Sequence, residues 1–101
     1  MVKEDIKKII NSELEQLPNK ERIRKLSLFG SYAYGKPKKN SDVDLLIEFK
    51  PESKIGFFEL VKMQNFLRQR LKKNVDLVTI QSISKYFKNR VLETAEKIYE
   101  G

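Results

Sequence analysis

The sequence predicts a small α+β domain in which helices pack on a mixed three-stranded sheet, in the order α-β-β-α-β-α. Three observations predict it. Apolar residues recur at helical spacing over residues 3 to 17, over 56 to 73, and from Ser82 or Ser84 to the end of the sequence. Short alternating or continuous apolar runs occupy 25 to 29, 42 to 49 and 75 to 80. Proline, glycine and asparagine separate the two kinds of segment. At 101 residues there is room for one domain, residues 1–101, with one core.

In the first helix Ile6, Ile10, Leu14 and Leu17 form the apolar stripe, with Lys7, Lys8, Glu13 and Glu15 between them, and Pro18-Asn19 ends it. Lys25 to Phe29 then alternates as a strand that feeds into Gly30. Lys36 to Ser41 contains proline, asparagine and three lysines, and reads as a loop into the second strand. There the continuous Leu45-Leu-Ile47 suggests burial on both faces. The long helix that follows carries Phe57, Leu60, Val61, Phe66, Leu67 and Leu71, with Lys72 and Lys73 at its negative dipole end and Asn74 as a stop. Val75 to Ile80 is β-branched and alternating, which predicts the third strand. Phe87, Val91, Ala95 and Ile98 line one face of the last helix. Phe57, Phe58, Phe66 and Phe87 are assigned to the core or to an interface.

The composition limits the chemistry. With 40% hydrophobic and 35% charged residues the chain reads as an ordinary globular protein with a charged surface. It has no cysteine and no histidine, which excludes disulfides, the usual zinc sites and histidine bases. Acid–base work therefore falls to carboxylates or water. No membrane-spanning run or signal pattern is present in the sequence, so a cytoplasmic location is expected. The net charge of +7 suits a nucleoside triphosphate, an acidic protein or RNA about equally well. Nucleic acid ranks last among these, because no motif with base-stacking aromatics accompanies the charge. A homodimer or hetero-oligomer would cover the edge of so small a sheet.

The chemistry concentrates in two stretches, Phe29-Gly-Ser-Tyr-Ala-Tyr-Gly35 and Ser41-Asp-Val-Asp-Leu-Leu-Ile47. Asp42 and Asp44 stand two apart, so on a strand both carboxylates leave the same face. Like charges so close repel unless a cation joins them, and magnesium, which favours carboxylate oxygens and keeps room for phosphate, is suited to that role. Gly30 and Ser31 open a turn where a phosphate can approach the main chain. Asp76, between Val75 and Leu77, is a third carboxylate in a setting where an unpaired charge is costly. Each residue also has a plain structural role open to it: Asp42 capping a turn after Ser41, Asp76 pairing with Lys72 or Lys73, and Tyr32 and Tyr34 packing.

Gly30-Ser31, ten intervening residues and Asp42-Val43-Asp44 resemble the signature of the DNA polymerase beta-like nucleotidyltransferase superfamily. The short length points to its minimal nucleotidyltransferase (MNT) group, and the resemblance covers roughly residues 25 to 80. It implies the polymerase beta-like fold and transfer of AMP from ATP to a hydroxyl. Asp42 and Asp44 would bind two Mg2+ ions, Asp76 would bind the catalytic ion and orient the acceptor, and Gly30 and Ser31 would hold the β- and γ-phosphates. It further implies a protein adenylyltransferase acting as the antitoxin of a type VII toxin–antitoxin pair, with a tyrosine of a HEPN-domain toxin as acceptor. Where members carry Gly-Ser-x-Ala-Arg-Gly, this chain has Tyr34, which brings no positive charge. Lys36, Lys38 and Lys39 are mobile point charges that stand in for a bidentate arginine incompletely. Tyr34 favours an alternative, a catalytically weak module of the same fold that neutralises its partner by complex formation.

Overall fold

Leu17 precedes Pro18, and a residue in that position is driven out of the helical region by the proline ring. The computed structural model, which describes residues 2–35, 37–38 and 41–101, accordingly finds Leu17 extended, with φ −68° and ψ 127°. The first helix, α1 (Lys3–Glu13), therefore tightens into a 3-10 turn over Leu14–Gln16 before the chain turns away. At its start the Val2 N–H donates to the Asp5 carboxylate at 2.9 Å, which satisfies one of the donors a helix leaves open there. Ile6, Ile10, Leu14 and Leu17 are all buried, as their spacing predicts.

Strand β1 (Ile23–Phe29) begins two residues before the predicted start and runs antiparallel to β2 (Val43–Phe49). Between them stands one helical turn, α2 (Ser31–Tyr34). Helix α3 (Phe57–Leu71) returns the chain, so that β3 (Val75–Thr79) pairs with β2 in parallel. Lys72 ends α3 in the left-handed conformation, φ 55°, two residues before the predicted stop at Asn74. Val43, Leu45 and Ile47 point into a core shared with α1, α3 and Leu26, Leu28, Val75 and Leu77. Met63, absent from the predicted stripe, is fully buried there. Leu46 is buried on the opposite face, so β2 is covered on both sides.

The last segment differs from expectation. Helix α4 spans Lys85–Thr94, capped by the Ser84 hydroxyl, which accepts the Tyr86 N–H at 3.4 Å. Beyond it Glu96–Glu100 is not helix but a strand, β4, antiparallel to β1. The sheet is mixed with four strands rather than three, in the order β3-β2-β1-β4. Val91, Ala95 and Ile98 do stand at helical intervals, but a strand of this length needs only one inward side chain. Ile98 supplies it by joining the core, while Lys3 and Lys7 of α1 hold Glu96 at 2.7 and 3.5 Å. Pairing with β1 outweighs the local helix preference of Glu and Lys.

The opposite edge of the sheet is dressed by α3. Gln64 accepts the Leu77 N–H at 3.0 Å, and the Arg68 guanidinium donates to the Val75 carbonyl at 3.2 Å. Phe57, Phe58 and Phe87 are 75%, 78% and 62% exposed, so the interior reading fails for them; Phe66 packs against the core. No described helix is long and apolar enough to cross a membrane.

Candidate active site

The end of β1 is fixed by a conformation that needs glycine. Gly30 has φ 75° and ψ −153°, a region that side chains exclude. The following turn closes with the Ala33 N–H on the Gly30 carbonyl at 3.1 Å and the Gly35 N–H on the Ser31 carbonyl at 2.9 Å. Tyr32 and Ala33 are buried and anchor the turn to the core, which settles the packing role for Tyr32. Lys73 lies over the Tyr32 ring at 5.9 Å.

Gly30 is required for a second reason. A Cβ built on it would overlap the Asp44 carboxylate, coming within 3.1 Å of its Cγ and 3.2 Å of its Cβ. The two halves of the motif are thus in contact. Phe29 and Asp44 are register partners, which puts the turn directly beside the carboxylate.

The third carboxylate arrives by strand pairing. The Val43 N–H donates to the Asn74 carbonyl at 2.9 Å and ties the start of β2 to the turn before β3. The register that follows aligns Val43 with Val75 and Asp44 with Asp76. Aligned residues of neighbouring strands project from the same face, so Asp44 and Asp76 share one. Asp42 lies exposed just before β2, next to a turn in which Ser41 Oγ accepts the Lys38 N–H at 2.8 Å.

Electrostatics register this crowding. Asp44 is half-buried, and its carboxyl is raised from 3.8 to about 6, first by burial, then by the charge of Asp76 and then by that of Asp42. Among the described residues, no three acidic side chains close into a ready-made metal cage. The open arrangement nevertheless fits a magnesium ion, which is held by one or two carboxylates and fills its remaining positions with water and substrate phosphate. The donor set is all hard oxygen, as that ion requires.

A cavity of about 370 Å3 adjoins Gly30 and Asp44, with Phe29 in its floor and Phe87, Arg90 and Val91 of α4 across it. No sequence signal pointed to that wall, because α4 lies far along the chain and reaches the site only through the fold. A second cavity, of about 460 Å3, borders the opposite end of β2 around Phe49 and Ile80 and does not reach the three carboxylates. Of the residues discussed from sequence, Lys36, Lys39 and the side chain of Tyr34 lie outside the described residues, so the substitution at position 34 has no structural account.

Comparison with known proteins identifies what the chain is similar to. A profile of the nucleotidyltransferase domain matches residues 6–98. A relative in Methanocaldococcus jannaschii, provisionally named a protein adenylyltransferase, is 32% identical over 89 residues, covering 88% of this chain and 89% of that protein. A toxin–antitoxin crystal structure with AMP-PNP superposes with a TM-score of 0.74 at 22% identity, over 94% of this chain and 73% of that one. A complex of the tri-AMPylated Shewanella oneidensis HEPN toxin with its MNT antitoxin gives 0.68 at 19% identity, over 99% of this chain and 74% of the other. At these identities the two solved structures establish a shared fold.

Proposed function

The chain belongs to the nucleotidyltransferase domain family, and from that premise we propose that it transfers AMP from ATP to a protein hydroxyl, a tyrosine of a HEPN-domain toxin, and serves as the antitoxin of that pair. The observation that carries this reading is the alignment of Asp44 with Asp76 across β2 and β3, with Gly30 packed against Asp44. The relative's name supports a protein acceptor. The AMP-PNP and AMPylated-toxin complexes of fold neighbours support the nucleotide and the partner. Exposed Tyr86 and Phe87 on α4, beside the site, offer apolar surface that a protein partner would cover.

Asp42, Asp44 and Asp76 would hold magnesium, which when bound lowers the pKa of the acceptor hydroxyl and offsets charge on the leaving pyrophosphate. The chain's own residues set the geometry. Gly30 and Ser31 bind the β- and γ-phosphates at the turn, and Asp76, exposed on the edge strand, orients the acceptor. The acceptor oxygen forms a bond to the α-phosphorus as the bond from that phosphorus to the pyrophosphate oxygen breaks. The hydroxyl proton passes to a carboxylate or water, since the chain has no histidine to take it.

Incubation with labelled ATP, magnesium and the product of the adjacent gene tests the proposal. Label is expected on the partner's tyrosine, and Asp44→Asn should lower the rate by about a hundredfold or more. No transfer by the wild type, or undiminished transfer by Asp44→Asn, refutes it.

A further inference from the structure

The chain carries a phenol of its own beside the carboxylates. Tyr86, in the first turn of α4, is 84% exposed. It precedes Phe87 and stands one helical turn before Arg90, and both of those residues line the cavity of about 370 Å3 that adjoins Gly30 and Asp44. Tyr86 is therefore on the rim of that cavity, in contact with water. The path of α4 decides which side of the site this is. The helix is entered from β3 through a 3-10 turn, Ile80–Ser82, and it hands the chain to β4. β3 and β4 are the outer strands of the sheet, so α4 crosses from one edge to the other over the face that carries Asp44. Its first turn belongs to the β3 edge, where Asp76 stands in register with Asp44.

Other hydroxyls nearby are already engaged. Ser82 Oγ accepts the Thr79 N–H at 3.2 Å and donates to the Thr79 carbonyl at 2.8 Å. Ser84 Oγ caps α4, and Thr94 Oγ1 donates to the Arg90 carbonyl at 2.6 Å. Withdrawing any of these would sacrifice a hydrogen bond that the backbone uses. Of the tyrosines whose side chains are described, Tyr32 is buried and Tyr99 packs against the core beneath Lys20. Among the described residues no hydrogen bond holds the Tyr86 hydroxyl. An exposed side chain of this kind changes rotamer within nanoseconds, so its approach to the site does not limit a slow transfer.

Building on the function proposed above, which places the acceptor beside Asp76, we propose that the chain adenylylates its own Tyr86 when no partner covers α4. The Tyr86 oxygen forms a bond to the α-phosphorus of ATP. The bond from that phosphorus to the pyrophosphate oxygen breaks, and its electron pair leaves with pyrophosphate. The phenolic proton passes to the Asp76 carboxylate or to water. Acceptor and site belong to one chain, so the transfer is unimolecular once ATP is bound. Its product carries AMP on the surface of α4 that a partner would otherwise meet.

Incubation of the purified chain alone with ATP and magnesium, followed by intact mass measurement and peptide mapping, tests this for the wild type, Tyr86→Phe and Asp44→Asn. The wild type is expected to gain one adenylyl group, mapped to Tyr86, at a rate per molecule that dilution of the protein by about tenfold leaves unchanged. Tyr86→Phe should gain none. Asp44→Asn should gain it about a hundredfold more slowly, which ties the modification to the chain's own site. Label on a different residue, undiminished label on either variant, or a rate that falls with dilution overturns the proposal. A wild type that labels the product of the adjacent gene but not itself overturns it too and leaves the transferase reading in place, whereas one that labels neither overturns both. Tyr86 is exposed, so Tyr86→Phe should unfold at the wild-type temperature, which separates a lost acceptor from a lost fold.

Discussion

Asp44 is held where an anion is unwelcome, and the consequence can be measured without any substrate. Its carboxyl keeps its proton to about pH 6 in the folded chain, whereas the free side chain gives it up near 3.8. Between those values the native state binds more protons than the unfolded state, so stability falls as pH rises. The contribution of protonated Asp44 is complete below the lower value and gone above the upper one. Asp44→Asn removes the charge and keeps the shape. In metal-free buffer at about pH 8 it should stabilise the protein by about 1 kcal/mol, a figure reduced because the group is half exposed. The gain should vanish below about pH 4, as denaturant melts at the two pH values would reveal; a gain that does not depend on pH contradicts this origin. The spacing that drew attention to Gly30, Asp44 and Asp76 was legible in the sequence, and the fold puts Gly30 against Asp44 and Asp44 in register with Asp76, whereas Asp42 stands just before β2 rather than on it. The α4 wall of the cavity beside Asp44 was not legible, since α4 lies far along the chain and meets the site only through the fold.

At the scale of elements, the segments whose burial is one-sided and repeated were readable, and those that depend on a single contact were not. Ile6, Ile10, Leu14 and Leu17 recur often enough to define α1. In β4 one inward residue, Ile98, carries the apolar pattern, and its distance from Val91 matches a helix as well as a strand. The N-terminal turn of α3 misled in another way: Phe57 begins the apolar stripe by spacing, yet it and Phe58 stack edge to face at 6.1 Å outside the core. Strand β4 therefore rests on Ile98 and on pairing with β1. Ile98→Ala should cost about 2–3 kcal/mol by transfer and cavity terms, whereas Leu92→Ala on the exposed side of α4 should change stability by less than about 0.5 kcal/mol. Urea denaturation of both variants checks the contrast, and equal losses would mean that β4 does not anchor the fold as described. The salt bridges from Lys3 and Lys7 to Glu96 are part-exposed and guide the strand more than they stabilise it.

For the molecule as a whole, a chain of 101 residues with a net charge of +7 has a surface that attracts polyanions over distances a contact map does not capture. Magnesium-ATP at a hundred times its dissociation constant should stabilise the fold by about 2.7 kcal/mol, a rise in melting temperature of roughly 10–20 °C for a domain of this size. That rise should shrink as salt is added, because long-range attraction is screened; a melting temperature indifferent to magnesium-ATP would count against nucleotide binding altogether. The fold class was visible from the sequence because alternating helical and extended segments leave few ways to cover a sheet. The meeting of Asp44 and Asp76 was conditional on two strands becoming neighbours, a fact of topology that no local pattern encodes. The bond from Val43 to Asn74 that aligns these strands also has an evolutionary edge. Sliding β3 by one position would turn Asp76 inward among Ile, Leu and Val side chains and swing an apolar neighbour out in its place. A misthreaded copy would therefore be both unstable and inert, so any pressure to preserve catalysis proofreads the folding of the sheet as well.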